Sequence, residues 1–235
     1  MFFAAFAIWT LSRPSRATSE EDPQMPSLKL ELTAKPTATT AKSAAATMNN
    51  RTTSELERDK IIRLYRNVVG KDSAKARSII KKLDYKSDPY LLQCISQTYL
   101  DESRFDEDGE MRERVDWRKW RLAEGYIIRA FLLDNNDADV LWVMGAVRKQ
   151  NMQIDIAIYC FRKIIRLGVK RIANGKRKGG LEYAKEMVND SKFQLYRIFY
   201  DQNPSLAKRY LSAYKKGLSA GAPTIFEPLN RFLLG

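Results

Sequence analysis

An alanine followed four and then seven positions later by further apolar residues occurs four times between residues 54 and 221. The sets are Ala76, Ile80, Leu83; Ala123, Ile127, Ala130; Ala157, Phe161, Ile164; and Ala207, Leu211, Tyr214. Steps of four and three keep side chains on one face of an α-helix, so each set marks a helix with an apolar stripe. A small residue in such a stripe lets a second backbone come close, which a bulkier side chain would prevent. The chain is therefore constrained to fold as paired helices rather than as a sheet.

The fullest pair lies between Asp137 and Gly168. Leu141, Met144, Gly145 and Val147 share one face of a first helix, and Ile154, Ala157, Ile158, Phe161, Ile164 and Ile165 share one face of a second, with a polar break from Lys149 to Gln153 between them. Gly145 and Ala157 supply a small residue on each helix, and Phe161 and Ile164 cover the seam. Gly145, Ala157, Phe161 and Ile164 fill the small and apolar slots of the tetratricopeptide repeat, and this spacing resembles that family. Leu141 and Arg148 depart from it, standing where Trp and Tyr are common.

The remaining sets extend the pattern. The Ser54 to Glu57 stretch has the form of a capping box ahead of Ile61, Ile62, Leu64, Tyr65 and Val68, and Gly70 ends that helix. Its partner is expected over about residues 73–83. Asp88-Pro89 and Asn203-Pro204 each read as a cap followed by a first-turn proline. The polar run 101–114 reads as a solvated loop that lengthens the second hairpin. It does not fit a calcium loop, because Arg104 and Val115 fall where carboxylates are needed. Trp117 and Trp120 then open the next helix, Gly217 and Gly221 break the last one, and 222–235 is expected to form a terminal capping helix. The fold class expected from these sets and the resemblance is all-α: a right-handed superhelical array of antiparallel helix hairpins, an alpha-solenoid like that of tetratricopeptide repeats, over residues 51–235.

Composition narrows function. The chain has no histidine, which removes the commonest general base and transition-metal ligand, and its two cysteines, Cys94 and Cys160, lie inside apolar helical patterns. No metal, cofactor or catalytic constellation is expected; Asp106 and Asp108 are better read as parts of a solvated loop. Forty-one Lys and Arg against 28 Asp and Glu give a net charge of +13, which favours acidic partners.

Residues 1–50 read as a disordered or targeting segment and linker. The apolar run 2–11 is too short for a membrane span and has no basic residue before it, while Arg13 and Arg16 resemble a transit-peptide pattern. Met48 offers an alternative start. A cytoplasmic protein is expected, with export or an organelle as the alternative if residues 1–19 act as a targeting segment.

The resemblance implies a non-enzymatic scaffold or adaptor that binds a peptide or protein partner, acidic in character, in a groove lined by first helices. Aromatic and arginine side chains anchor such interfaces, which singles out Trp142, Arg148, Lys149, Tyr196 and Arg197. The arrangement that grips chaperone tails in this family is not found around Trp142. The alternative is an RNA-binding or ribonucleoprotein-associated module. It would use a basic 170–178 loop, with Lys170, Arg171, Lys176, Arg177 and Lys178 on phosphates and Tyr183 or Trp120 for stacking.

Overall fold

The computed structural model describes residues 53–106, 109–175 and 179–226. They form eight α-helices: α1 Thr53–Val68, α2 Ser73–Ile80, α3 Pro89–Arg104, α4 Trp117–Leu133, α5 Ala138–Gln150, α6 Ile154–Ala173, α7 Gly180–Phe199 and α8 Pro204–Ser219. No strand is present among the described residues; one isolated antiparallel bridge joins Phe105 and Met111. Each helix packs on the next in sequence. In addition α3 touches α5, and α5 touches α7.

The stripes account for this packing. Ala76, Ala123 and Ala157 have no exposed surface and Ala207 has 3%. Gly145 on α5 lies under Phe161 and Cys160 of α6: a Cβ there would sit 3.0 Å from the Phe161 ring and 3.2 Å from Cys160 Cβ. The close approach that a small residue permits is thus to the ring of Phe161, one turn beyond Ala157. Two of the helix starts follow the Asp88 and Asn203 caps read from the sequence, and Asp137 caps α5 in the same way. Asp88 accepts from the amides of Tyr90 and Leu91 at 2.9 and 3.3 Å, Asp137 from those of Asp139 and Val140 at 2.9 and 3.2 Å, and Asn203 from Leu206 at 3.0 Å. Asp116 caps α4 in the same way.

Two buried clusters result. One runs from Leu92 to Phe226 through α3 to α8; the other joins Ile62 and Tyr65 to Ala76, Ile80, Leu91, Cys94 and Ile95. Tyr85, Tyr99 and Tyr126 border both. Both cysteines are free and buried.

Several boundaries differ from the sequence reading. Helix α1 already includes Thr53, which puts Ser54 inside it rather than at its cap. Helix α2 stops at Ile80, and Leu83 lies in the following turn. Helix α3 continues through the polar residues Asp101 to Arg104, because Ser103 and Arg104 are buried against α4 and the hairpin loop rather than solvated: Arg104 lies over the Trp120 ring at 5.1 Å. Trp117 is half exposed, whereas Trp120 is buried.

Gly217 does not end α8. It is helical, and its missing side chain makes room for Asn189 of α7, whose Oδ1 would lie 2.0 Å from a Cβ at this position. In α6 the helical path is interrupted at Gly168, with φ 72° and ψ 165°, a backbone that favours glycine. One more turn, to Ala173, follows.

Residues 222–226 form no helix but a strap held against α7. Asp190 accepts from the Thr224 hydroxyl at 2.6 Å and from the Ile225 amide at 3.0 Å, and the Tyr214 hydroxyl meets Thr224 at 2.9 Å. Phe226 is fully buried, its ring 4.7 Å from that of Phe193, a burial that stabilises by about 1.5–3 kcal/mol. The expected terminal helix is thus not formed over 222–226, because Asp190 holds this stretch against α7 through Thr224 and Ile225; residues 227–235 lie outside the described residues.

Replacing Gly217 with alanine, which at an ordinary helical position would gain about 1 kcal/mol, is expected to destabilise the protein in urea denaturation. Adding Asn189→Ala, which removes the obstructing amide, is expected to restore the lost stability. Asp190 sets a pH dependence: burial pushes its carboxyl up to about 7, against the two hydrogen bonds that favour its charged form. The folded state therefore keeps a proton that the unfolded chain releases near pH ~4. Stability falls as pH rises from there to about 7 and levels off above. Asp190→Asn is expected to remove that part of the slope, measured as denaturation midpoint against pH.

Candidate functional site

Three surfaces bring polar side chains from different helices together. The first joins α5 to α7. Lys149, near the end of α5, donates from Nζ to Gln194 Oε1 of α7 at 2.8 Å. Burial and the neighbouring Arg197 charge push its ammonium down to about 7. Arg197 is itself half buried and its guanidinium is shifted down by burial. Tyr196 stands beside it, edge-on to Tyr200 at 5.6 Å. Burial raises its phenol.

The other expected anchors have internal roles. Trp142 is 3% exposed and packs edge-on against Phe161 at 5.6 Å, so it belongs to the core and not to an open groove. Arg148 is taken up by the α4–α5 contact. Its Nη1 pairs with Glu124 at 2.8 Å and also donates to Gln153, while Asn151 donates to the same Glu124 oxygen at 2.9 Å and accepts from Trp120 Nε1 at 3.0 Å. Trp120, fully inside, has no face free for a nucleobase.

The second surface is a cleft of about 310 Å³ where the start of α5 meets the end of α6 and the start of α7. Asp134, Asp137, Asp139, Arg171 and Tyr183 line it. The Tyr183 hydroxyl donates to Asp139. Burial and the adjacent Asp139 charge raise the Asp137 carboxyl to about 6. Lys170 and Arg171 are exposed, but on the last turn of α6 beyond Gly168 rather than in a loop. Lys176, Arg177, Lys178 and Asp108 lie outside the described residues. Asp106 accepts from the Glu110 amide at 2.9 Å within its own loop.

The third surface, which the sequence reading did not single out, is a wider groove of about 680 Å³ between α6 and α8. Ile158, Ile165, Phe199 and Tyr210 are partly buried along it, and Tyr159, Arg162, Arg166 and Asp155 are exposed. Arg162 donates from Nε to the Tyr210 hydroxyl at 3.3 Å. The signal was present: 155, 159, 162 and 166 are spaced by four, three and four, which places them on one face of a helix.

Among the described residues no group of three or more His, Cys, Asp or Glu is placed to hold a metal ion, and no helix is long and apolar enough to cross a membrane. No protein-family model, curated protein or solved structure matches the chain. The resemblance to tetratricopeptide repeats rests on the residues that carry it and on nothing beyond them.

Glu124 of α4 holds two donors from the end of α5, Arg148 and Asn151, through one carboxylate oxygen. Glu124→Gln leaves Arg148 with a neutral acceptor in a partly buried site and is expected to cost about 1–3 kcal/mol, read as a lowered thermal midpoint with helix content unchanged.

Proposed function

We propose that the protein is a non-enzymatic scaffold or adaptor, built as a right-handed tetratricopeptide-like array, that binds an acidic peptide or protein segment along the helices α3, α5 and α7. The contacts of α3 with α5 and of α5 with α7 support the array, since first helices of stacked hairpins lie side by side. The observation that carries the binding is the meeting of Lys149 and Arg197. Two cations from different helices are drawn into partly desolvated surroundings, and Lys149 donates to a neutral amide rather than to a carboxylate. A partner carboxylate beside them offsets the burial that chiefly lowers Lys149 and the repulsion from Arg197 that adds to it. Tyr196 adjoins the pair and offers apolar contact.

The alternative, RNA binding, is supported by the net charge of +13 and by the exposed Lys170 and Arg171. It no longer has Trp120 as a stacking platform.

Acidic peptides enriched from a random library provide the test, with affinity followed by fluorescence anisotropy. Lys149 in the free protein loses its proton near pH 7; bound to an anion it holds the proton to higher pH, so binding takes up a proton. Affinity is therefore expected to be level below about pH 7 and to fall as pH rises above it, and Lys149→Gln is expected to weaken binding and flatten that dependence. Affinity that is indifferent to pH and to Lys149→Gln and Arg197→Gln refutes the proposal. Steeply salt-dependent binding of generic RNA, lost in Lys170→Gln/Arg171→Gln, would favour the alternative.

A further inference from the structure

We infer that the groove between α6 and α8 is a second docking surface, distinct from the α5–α7 face, for an acidic peptide segment bearing aliphatic or aromatic anchors. It lies between helices that are two apart in sequence, and the end of α7 closes its floor through Phe199. Ile158, Ile165, Phe199 and Tyr210 are continuous with the main core yet remain partly open to solvent. Such an apolar floor rimmed by charge is how a groove takes a short segment: alternate side chains enter, and the rim fixes its polarity.

Charge complementarity decides the occupant. Arg162 and Arg166 are exposed on the rim and stand one turn apart, a spacing that meets carboxylates on successive turns or alternate residues of a partner. Lys163, also on α6, is already engaged at the edge of the groove: it donates to Asn135 at 2.8 Å and to the hydroxyl of Tyr159, a lining residue, at 3.0 Å. Asp155, at the amino end of α6, is the acidic member of the lining and places the preferred acidic part of the segment toward Arg166.

The same geometry argues against single-stranded RNA. Bases need open aromatic faces. Here Phe199 and Tyr210 stack on each other at 5.9 Å with planes 6° apart, and the guanidinium of Arg162 lies 5.6 Å from the Phe199 ring centre. Phe199 and Tyr210 are engaged with each other and with the arginine, and Tyr159, the exposed ring of the lining, already meets Phe131 edge-on and carries Lys163 over its face at 5.4 Å; the isoleucine side chains and the ring edges suit apolar side chains.

The test uses the full chain and a pool of peptides of about twelve residues in which Glu or Asp alternates with Leu, Phe or Trp. A matched pool with Lys in place of the acids and an oligouridine of similar length serve for comparison, all followed by fluorescence anisotropy. Acidic peptides are expected to bind with Kd below about 100 µM, the Lys pool to show no saturable binding, and Arg162→Gln/Arg166→Gln to weaken the acidic peptides at least tenfold. Lys60→Gln/Arg63→Gln, which removes two charges from α1 instead, is expected to change affinity less than twofold. Arg166→Glu alone leaves the Arg162–Tyr210 bond in place and is expected to weaken binding at least fivefold with an unchanged thermal midpoint. Failure of the acidic pool to bind, equal loss in the α1 variant, or binding that ignores Arg166→Glu overturns the inference. So does tighter binding of oligouridine that disappears in the Arg162→Gln/Arg166→Gln protein.

Discussion

Helix-to-helix distance is the quantity on which this structure depends, and small residues set it. Ala76, Ala123, Ala157 and Ala207 lie where one helix presses on another, and Gly145 admits the edge of Phe161 at a distance that a methyl group would already crowd. Interiors are packed to near-crystalline density, so a spacing fixed at those points is felt at the next helix. Gly217 opposite Asn189 belongs to the same set, although a polar amide fills the space that glycine leaves. Loops and caps then fix only where each helix begins.

The charges divide into those used up by folding and those left for other contacts. Arg148, with Glu124, Asn151 and Trp120, ties α4 to α5. Arg77 and Lys119 converge on Glu102, at 2.8 and 2.7 Å, and tie α2 and α4 to α3. Lys149, Arg162 and Arg166 are not in carboxylate bridges of that kind: Lys149 rests on an amide, and Arg162 on a phenol. A basic chain folds here by using some cations internally, leaving Lys149 beside Arg197 partly buried and Arg162 and Arg166 exposed one turn apart on α6.

Local periodicity made the paired helices legible. The alanine stripes and the Asp-Pro and Asn-Pro caps depend only on residues within a turn or two, and they placed Pro89 and Pro204 at helix starts where the structure has them. Reading failed where a distant residue decides. Gly217 looks like a helix end unless Asn189 is known to lie opposite, and 101–104 looks solvated unless Trp120 is known to cover Arg104. Trp142 and Arg148 have the composition of interface anchors, and nothing near them in the chain says that Phe161 and Glu124 claim them first. The α6–α8 groove was half legible, because Tyr159, Arg162 and Arg166 share a face; Tyr210 enters it only through the fold.

The tyrosine layer between the two buried clusters has a consequence for how the molecule comes apart. Tyr99 stacks on Tyr126 at 5.7 Å, Arg77 caps the outer face of Tyr99 at 4.0 Å, and Tyr85 leans on Tyr126 at 6.5 Å. To one side lies a small core that needs only α1, α2 and the start of α3; to the other lies everything else. The smaller core buries far fewer side chains than the main one, so α1 and α2 are expected to open at lower free energy than α5 to α8. Amide protons of α1 and α2 then exchange through openings that leave α5 to α8 closed.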